Sequence, residues 1–323
     1  MKGDRILGNT FHHDEFKDKA KLVELKARQG LRISLAFPTL NEETTIGKEI
    51  LILKTELMDR FPLLDEIAII DSGSTDRTRE VAMGNGAVVF SSNEILKKYG
   101  SYRGKGENLW KSLYVLSGDI IVWIDADISN IAPKFVYGLL GPLLREPRIG
   151  YVKAFYERPF RTTGQLIPAG GGRVTEILVR PLFSLFYPEL ACLVQPLSGE
   201  YAGRRTLLER LPFSVGYGVE LGHLIDIYHQ FGVGALAQVN LDRRIHRNQS
   251  VQALGKMSFG ILNAFLRRLE KYGQMRFLTE TGKLHISVSA GDSLPEVNPI
   301  EIPSVERPPM IEVDEYRRKF NPG

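Results

Sequence analysis

Ile120-Ile121-Val122-Trp123-Ile124-Asp125-Ala126-Asp127 is an apolar run that ends in two acids separated by one small residue. Residues two apart on a strand point to the same face, so Asp125 and Asp127 can aim both carboxylates at one spot where a buried strand emerges. Such a pair is a partial cage of hard oxygen ligands, which Mg²⁺ accepts while phosphates fill its open positions. The chemistry suggested is metal-assisted handling of a nucleoside diphosphate. A strand that ends in Asp is also an ordinary turn or helix cap, so the pair alone leaves both readings open.

Its companions add weight by their order. Phe37-Pro38-Thr39-Leu40-Asn41-Glu42-Glu43 follows the first expected strand, and Asp71-Ser72-Gly73-Ser74-Thr75-Asp76 follows the second. Pro38 can shape a turn, with Thr44 and Ser74 or Thr75 as helix caps, which leaves Glu42 and Asp71 free to meet a base or ribose. Lys105 opens the helix before the acid-pair strand. Arginines gather further on, at Arg158, Arg161, Arg173 and Arg180, at Arg204 and Arg205, and at Arg243, Arg244 and Arg247. Guanidinium forks match phosphate and carboxylate geometry, although part of such a set is ordinary solvated surface.

Alternating elements must position these groups. Strands are expected at Leu31 to Phe37, Glu66 to Ile70, Ala87 to Phe90 and Asp119 to Ile124. Helices are expected at Ile46 to Met58, Asp76 to Met83, Gly106 to Leu116 and within Pro133 to Leu144. Strands this apolar need cover on both faces, which implies a mostly parallel, Rossmann-like α/β sheet flanked by helices, with ligands at the carboxyl ends of the strands. The second half is less regular. A Gly-, Thr- and Pro-rich loop runs from Arg158 to Gly172, and helices are expected at Val174 to Leu185, Glu220 to Phe231 and Ser258 to Tyr272. The stretch Ser293 to Met310, rich in Pro and Glu, reads as an extended arm or a disordered end. The expected division is an N-terminal arm or helix (1–30), a nucleotide-binding α/β part (31–155), a helix-rich region (156–275) and an extended C-terminal tail (276–323).

Composition excludes several classes. A net charge of +4 over 323 residues is too mild for a dedicated nucleic-acid binder. The single Cys192 allows neither an internal disulfide nor a multi-cysteine zinc site, and reads as a core thiol. The N-terminus shows no apolar signal region, and Ile177 to Val194 is interrupted by Arg180, Pro181, Pro188 and Glu189, so a cytoplasmic protein with no membrane span is expected. There is no Gly-x-x-x-x-Gly-Lys-Ser/Thr loop, no complete dinucleotide fingerprint around Gly104-Lys105-Gly106, and no Gly-x-Ser-x-Gly elbow.

The order of these motifs resembles the nucleotide-binding half of A-type glycosyltransferases. Gly171-Gly172-Arg173-Val174-Thr175-Glu176, Gln195-Pro196-Leu197-Ser198-Gly199-Glu200-Tyr201, Gly216-Tyr217-Gly218-Val219-Glu220 and Arg244-Ile245-His246-Arg247-Asn248 narrow the resemblance to glucosyl-3-phosphoglycerate synthases, over roughly Leu31 to Tyr272. The resemblance implies retaining transfer of glucose from a nucleoside-diphosphate glucose, UDP-glucose first, to the 2-hydroxyl of 3-phosphoglycerate. It places Pro38, Leu40, Glu42, Asp71 and Ser72 around uridine. Lys105 lies near the nucleotide's charged region, and Asp125 and Ala126 lie on the nucleotide sugar. Asp127 and His246 hold a metal, Mg²⁺ with Mn²⁺ or Co²⁺ as substitutes. Gly172, Arg173, Thr175 and Asn248 hold phosphoglycerate, and Glu220 meets the sugar hydroxyls. The Leu197 carbonyl faces the reacting carbon, and Arg244 steadies the departing diphosphate. A homodimer is also implied, with residues 156–275 as the acceptor-binding and dimerisation region. Rival readings are a mannosyl-3-phosphoglycerate synthase using GDP-mannose, a lipid-phosphate glycosyltransferase, a nucleotidyltransferase, and a non-catalytic nucleotide-sugar sensor.

Overall fold

The computed structural model describes residues 8–157, 160–162, 165–167, 172–245, 250–279, 281–290 and 295–320. Its strands in chain order are β1 (Thr10–His12), β2 (Ile33–Thr39), β3 (Glu66–Asp71), β4 (Val88–Ser91), β5 (Ile120–Trp123), β6 (Tyr151–Glu157), β7 (Phe160–Thr162), β8 (Gln165–Ile167), β9 (Tyr201–Arg204), β10 (Phe213–Ser214), β11 (Leu236–Arg243), β12 (Leu284–Ala290), β13 (Pro295–Glu301) and β14 (Glu306–Arg307). Eight of them form one sheet in the order β1-β11-β6-β9-β5-β2-β3-β4. Every pairing in that sheet is parallel except those of β9, which runs antiparallel to both β5 and β6.

The sheet is covered on both faces, as its apolar strands require. Along β5, Ile120 and Val122 pack with Leu35, Phe37, Ile67 and Ile69 into one core, while Ile121 and Trp123 pack with Ala36, Ala68 and Ile70 into the other. Alternate residues thus feed opposite layers, which is the period-two signature of a strand buried on both sides. The first core is closed by the helices Ile46–Lys54 and Lys134–Arg145, the second by Lys105–Val115 and Val219–Phe231.

The break that exposes a site is written into β2. Its ladder with β5 ends at the pair Ala36–Trp123, beyond which only the Ile124 amide still donates to the Ala36 carbonyl, at 3.3 Å. Backbone groups alternate sides along a strand, so the nitrogen of Pro38 faces the side that β5 has left. Proline has no N–H to lose there, and a central strand tolerates it. On the other side β2 stays paired with β3 through Thr39–Asp71. The splay between β2 and β5 opens the crevice into which Asp125 projects.

Several expectations are revised. The limit placed at 155/156 falls inside β6, and the sheet takes β9 and β11 from beyond it. Residues 1–30, read as an arm or helix, supply the edge strand β1 on β11 as well as the helix Lys19–Arg28. The helix expected from Ser258 begins at Val251, where Ser250 accepts a hydrogen bond from the Ala253 amide as its cap. Thr45 rather than Thr44 precedes the helix Ile46–Lys54, and its hydroxyl donates to the Ala126 carbonyl at 2.6 Å. Cys192 is half-buried and free.

The stretch read as a loose tail is also built in. β12 and β13 pair as a hairpin, and β14 pairs with β10. The Arg307 guanidinium holds the buried Glu107 carboxylate through two 2.7 Å hydrogen bonds, and the Trp110 indole donates to the Pro308 carbonyl at 2.8 Å. Buried charge and aromatic anchors fix this segment, and composition alone gave no sign of them.

Candidate active site

A cavity of about 560 Å³ lies at the carboxyl ends of β2, β3 and β5. Pro38, Thr39, Leu40 and Glu42 come from the loop after β2, Ser72 from the loop after β3, and Asp125, Ala126 and Asp127 from the loop after β5. Loops after parallel strands converge at this end because each strand runs the same way, which is why such sheets bind ligands there. Two glycines let other chain segments close on it. Gly106 lies so near the Ser214 carbonyl that an added Cβ would sit 1.8 Å from that oxygen. A Cβ on Gly199 would sit 1.9 Å from Asp125 Oδ2. Gly106 meets backbone and has no room for a side chain, whereas a side chain at Gly199 would have to displace the Asp125 carboxylate.

β5 ends at Trp123, so the acid pair stands on the turn beyond it rather than on one strand face. Both carboxylates turn to one guanidinium, with Arg244 Nη2 3.1 Å from Asp125 Oδ2 and 2.8 Å from Asp127 Oδ1. Arg244 Nε lies 3.1 Å from Glu200. Lys105 Nζ donates to Asp125 Oδ1 at 2.5 Å and to the Gly199 carbonyl at 3.1 Å, and lies 3.2 Å from Glu220. Burial works against the Lys105 ammonium, but Asp125, Glu220 and Glu200 outweigh it and hold its pKa above the usual range. The same balance raises Arg244 through Glu200, Tyr156 and the acid pair. Burial lifts Asp127 and Glu200 despite the opposing pull of Arg244.

Two further buried ionisable groups flank this cluster. Lys153 is almost fully enclosed, donates to the Ser198 carbonyl at 2.5 Å and lies over the Tyr201 ring, and burial pushes its pKa down to about 7. Glu49 sits behind the acid-pair loop, accepts from the Ile128 amide at 2.8 Å, and is pushed up to about 9 by burial. Asp125, Asp127, Glu200 and Glu220 therefore outnumber the two firmly charged bases Lys105 and Arg244. The donor set of this cluster is carboxylate oxygen, which fits a hard divalent cation.

Of the residues expected to bind nucleotide sugar, Pro38, Leu40, Glu42, Ser72, Lys105, Asp125 and Ala126 line the cavity, as does Asp127. Asp71 does not. It is wholly buried, and its carboxylate accepts from the amides of Gly73 at 3.1 Å and Ser74 at 3.0 Å and from the Ser74 hydroxyl. That network shapes the turn beneath the cavity. Glu220 and Arg244 are buried beside the acid pair, and Leu197 is half-buried two residues before Gly199. Gly172, Arg173 and Thr175 share one turn, in which Gly172 takes the left-handed φ of +86° and the Glu176 amide donates to its carbonyl at 3.0 Å. None of these three lines the cavity. His246 and Asn248 lie outside the described residues.

Other walls went unforeseen. Arg103, Asn108, Tyr217, Asn263, Arg267 and the stretch Ile302 to Val305 also line the cavity. Tyr217 stands in the motif Gly216 to Glu220, so its neighbourhood was marked although its role was not. Arg267 and Asn263 sit four apart on the helix Val251–Lys271, a spacing that a surface helix shares.

Residues 34–208 match the model of glycosyl transferase family 2. Glucosyl-3-phosphoglycerate synthase of Petrotoga mobilis is 59% identical over 318 residues, which covers 98% of each chain. The chain belongs to the glucosyl-3-phosphoglycerate synthase family. The synthase of Mycobacterium tuberculosis is 47% identical over 245 residues, 75% of each chain. A crystal structure of that family member in complex with Mn²⁺, UDP and phosphoglyceric acid superposes with a TM-score of 0.82 at 41% identity, covering 94% of this chain and 97% of that one. Mannosyl-3-phosphoglycerate synthase of Rubrobacter xylanophilus superposes with a TM-score of 0.89 at 37% identity, covering 97% and 98%. No helix among the described residues is long and apolar enough to cross a membrane.

Proposed function

We propose that the chain moves glucose from UDP-glucose to the 2-hydroxyl of 3-phosphoglycerate with retention of the anomeric configuration. The observation that carries this is the acid pair of Asp125 and Asp127, presented with Lys105, Arg244 and Glu220 at the mouth of the β2–β5 splay, in a member of the synthase family. Asp127 and His246 would hold Mg²⁺ or Mn²⁺, and the bound ion would offset charge on the diphosphate as it leaves.

The chain's own groups do the rest. Pro38, Leu40, Glu42 and Ser72 take the nucleoside, and Lys105 and Arg244 set a fixed positive field beside the diphosphate. Such preorganised charge needs no reorganisation as the bond breaks. Gly199 lets the Leu197–Glu200 segment press against Asp125, which brings the Leu197 carbonyl to the reacting side of the sugar. Gly172, Arg173, Thr175 and Asn248 hold the acceptor, with Arg173 offering the two-pronged donor a phosphate or carboxylate matches. Among the described residues, no side chain of the cluster is assigned as a dedicated base. The acceptor proton passes to the leaving phosphate oxygen on the same face of the sugar, which gives an α-linked product.

The likeness to the mannosyl synthase supports a second donor reading, GDP-mannose, since discrimination would rest on one hydroxyl's orientation. Incubating the purified protein with 3-phosphoglycerate and either donor, with and without Mg²⁺, tests the proposal. UDP-glucose turnover to an α-linked product by proton NMR supports it. A β-linked product or exclusive use of GDP-mannose overturns it. A homodimer and a cytoplasmic setting belong to the same reading. Strongly exposed Ile177 and Leu185 offer an apolar contact face, and phosphorylated substrates do not cross bilayers unaided.

A further inference from the structure

The turn that carries Asp127 is held from beneath by one helix end. The Thr45 hydroxyl donates to the Ala126 carbonyl at 2.6 Å, and Glu49 Oε1 accepts from the Ile128 amide at 2.8 Å. That carbonyl belongs to the peptide group before Asp127, and that amide to the peptide group after it. The φ and ψ of Asp127 are the torsions between these two planes, so holding both planes fixes the direction of its Cβ. Thr45 and Glu49 stand four apart at the start of the helix Ile46–Lys54, a spacing that puts two side chains on one face, and the Glu49 amide donates to the Thr45 carbonyl at 3.2 Å.

Packing alone does not call for an acid at position 49. Glu49 is wholly buried on the helix face that carries Ile46, Ile50 and Leu53 into the core, and its Oε2 has no hydrogen-bond partner among the described residues. A buried oxygen left in that state costs stability, and an apolar side chain would fill the space without the cost. Burial keeps the carboxyl uncharged at neutral pH, so it adds no further negative charge behind Asp125 and Asp127. What Glu49 supplies is an acceptor in a fixed place. Asp127 needs that support, because its carboxylate pairs with Arg244 at 2.8 Å and a metal ion would compete for the same oxygens. Once that contact loosens, the backbone keeps the side chain aimed. The same turn runs on to Asn130, whose amide donates to the Arg243 carbonyl at 2.8 Å and accepts from the Ile245 amide at 2.8 Å, the two peptide groups that flank Arg244.

We infer that Thr45 and Glu49 are positioning residues for Asp127: together they set its backbone so that the carboxylate meets a nucleotide-bound cation with little reorganisation. The inference rests on the reading of Asp127 as a metal ligand given above. It assigns this helix end to metal affinity rather than to nucleoside binding, since neither side chain lines the cavity. Outer groups that orient a metal ligand are worth roughly 10- to 100-fold in metal affinity when lost.

Calorimetric titration of UDP into the full chain, at saturating Mg²⁺ and in EDTA, tests this. The ratio of the two affinities is the gain due to metal. Glu49→Met keeps the length and the burial but offers the Ile128 amide no carboxyl oxygen, and Thr45→Val keeps the shape but loses the hydroxyl. Each should cut the gain by roughly tenfold and leave UDP affinity in EDTA within about twofold of the wild type. Glu49→Gln keeps the Oε1 acceptor and should hold the gain within about twofold. A helix end that serves folding alone would lower both affinities together or leave the gain intact, and either result overturns the inference. So does a Glu49→Gln variant as impaired as Glu49→Met. Thr45→Val, at a half-buried position, decides the matter if circular dichroism shows Glu49→Met unfolded. A wild type with no gain from Mg²⁺ removes the metal role of Asp127 itself, and the positioning role falls with it.

Discussion

Gly199 lies directly against the Asp125 carboxylate, so close that a methyl group there would come 1.9 Å from Oδ2. The same Asp125 side chain and the Gly199 carbonyl share the Lys105 ammonium. Gly199→Ala must therefore move Asp125, the Lys105 contact or the Leu197–Glu200 segment. A displacement near 1 Å at reacting groups costs roughly 100-fold in rate. The variant should remain folded by circular dichroism while kcat/KM for UDP-glucose falls by about that factor. An unchanged rate would show that the close approach is incidental.

Asp127→Ala should uncouple metal from nucleotide. Arg244 keeps Asp125 and Glu200 as partners, so its charge is not stranded and the fold should hold. Titration calorimetry of UDP with and without Mg²⁺ reads the effect. The wild type should bind UDP more tightly with Mg²⁺. The variant should show little difference, with activity down by about 10²–10³-fold, the worth of one preorganised charge contact. A preserved Mg²⁺ response would remove Asp127 from the metal site.

Arg173→Ala separates acceptor from donor. Hydrogen bonds to charged groups contribute about 1.5–3 kcal/mol, or roughly 10- to 100-fold in affinity. Phosphoglycerate binding should weaken by that range and UDP binding should stay within about twofold. Equal losses for both ligands would refute the acceptor role.

The first half of the fold was legible because its signal is local. Each strand there is a short apolar run closed by a turn motif, and β5 announces its carboxylates because Asp125 and Asp127 follow directly on its apolar run. The other side of the sheet was not legible. β9 is Tyr-Ala-Gly-Arg, and its place between β5 and β6 depends on pairings far apart in sequence. β1 is three residues long and becomes a strand only because β11 offers an edge. At the site, Asp71 looked free because sequence cannot show that the Ser74 hydroxyl and two amides consume its oxygens. Lys153 and Glu49 carried no motif. Their significance lies in burial, which is a property of the packed chain.

His223 sets a pH limit on stability. Its ring is buried against Phe213 and Tyr151, neither ring nitrogen has a hydrogen-bond partner among the described residues, and burial pushes its pKa down to about 3. An unfolded chain protonates this histidine near 6.5. Between those values the unfolded state binds the extra proton, so stability falls as pH is lowered from 6.5 towards 3, by up to about 1.4 kcal/mol per pH unit. His223→Phe removes that proton site. Its urea midpoint should drop less than the wild type's between pH 7 and pH 4.5. Parallel curves would place the acid sensitivity elsewhere.

Arg307 ties the C-terminal segment to the cavity wall. Its fork holds Glu107, which is fully buried at the start of the helix that Lys105 opens, and a further bond runs to the Tyr99 carbonyl at 2.7 Å. Lys111 lies 2.9 Å from the same carboxylate, so Glu107 would retain one cation after Arg307→Ala. Breaking one side of a buried pair costs roughly 3–5 kcal/mol, and that remaining cation places this case at the low end. β14 would then lose its anchor, and with it the Ile302 to Val305 stretch that lines the cavity. Denaturant unfolding should show the stability loss. Steady-state kinetics should show a higher KM for UDP-glucose with kcat less affected, because the lost wall binds the donor equally before and during reaction. A stability loss with unchanged KM would mean that residues 302–305 border the cavity without contributing to donor binding.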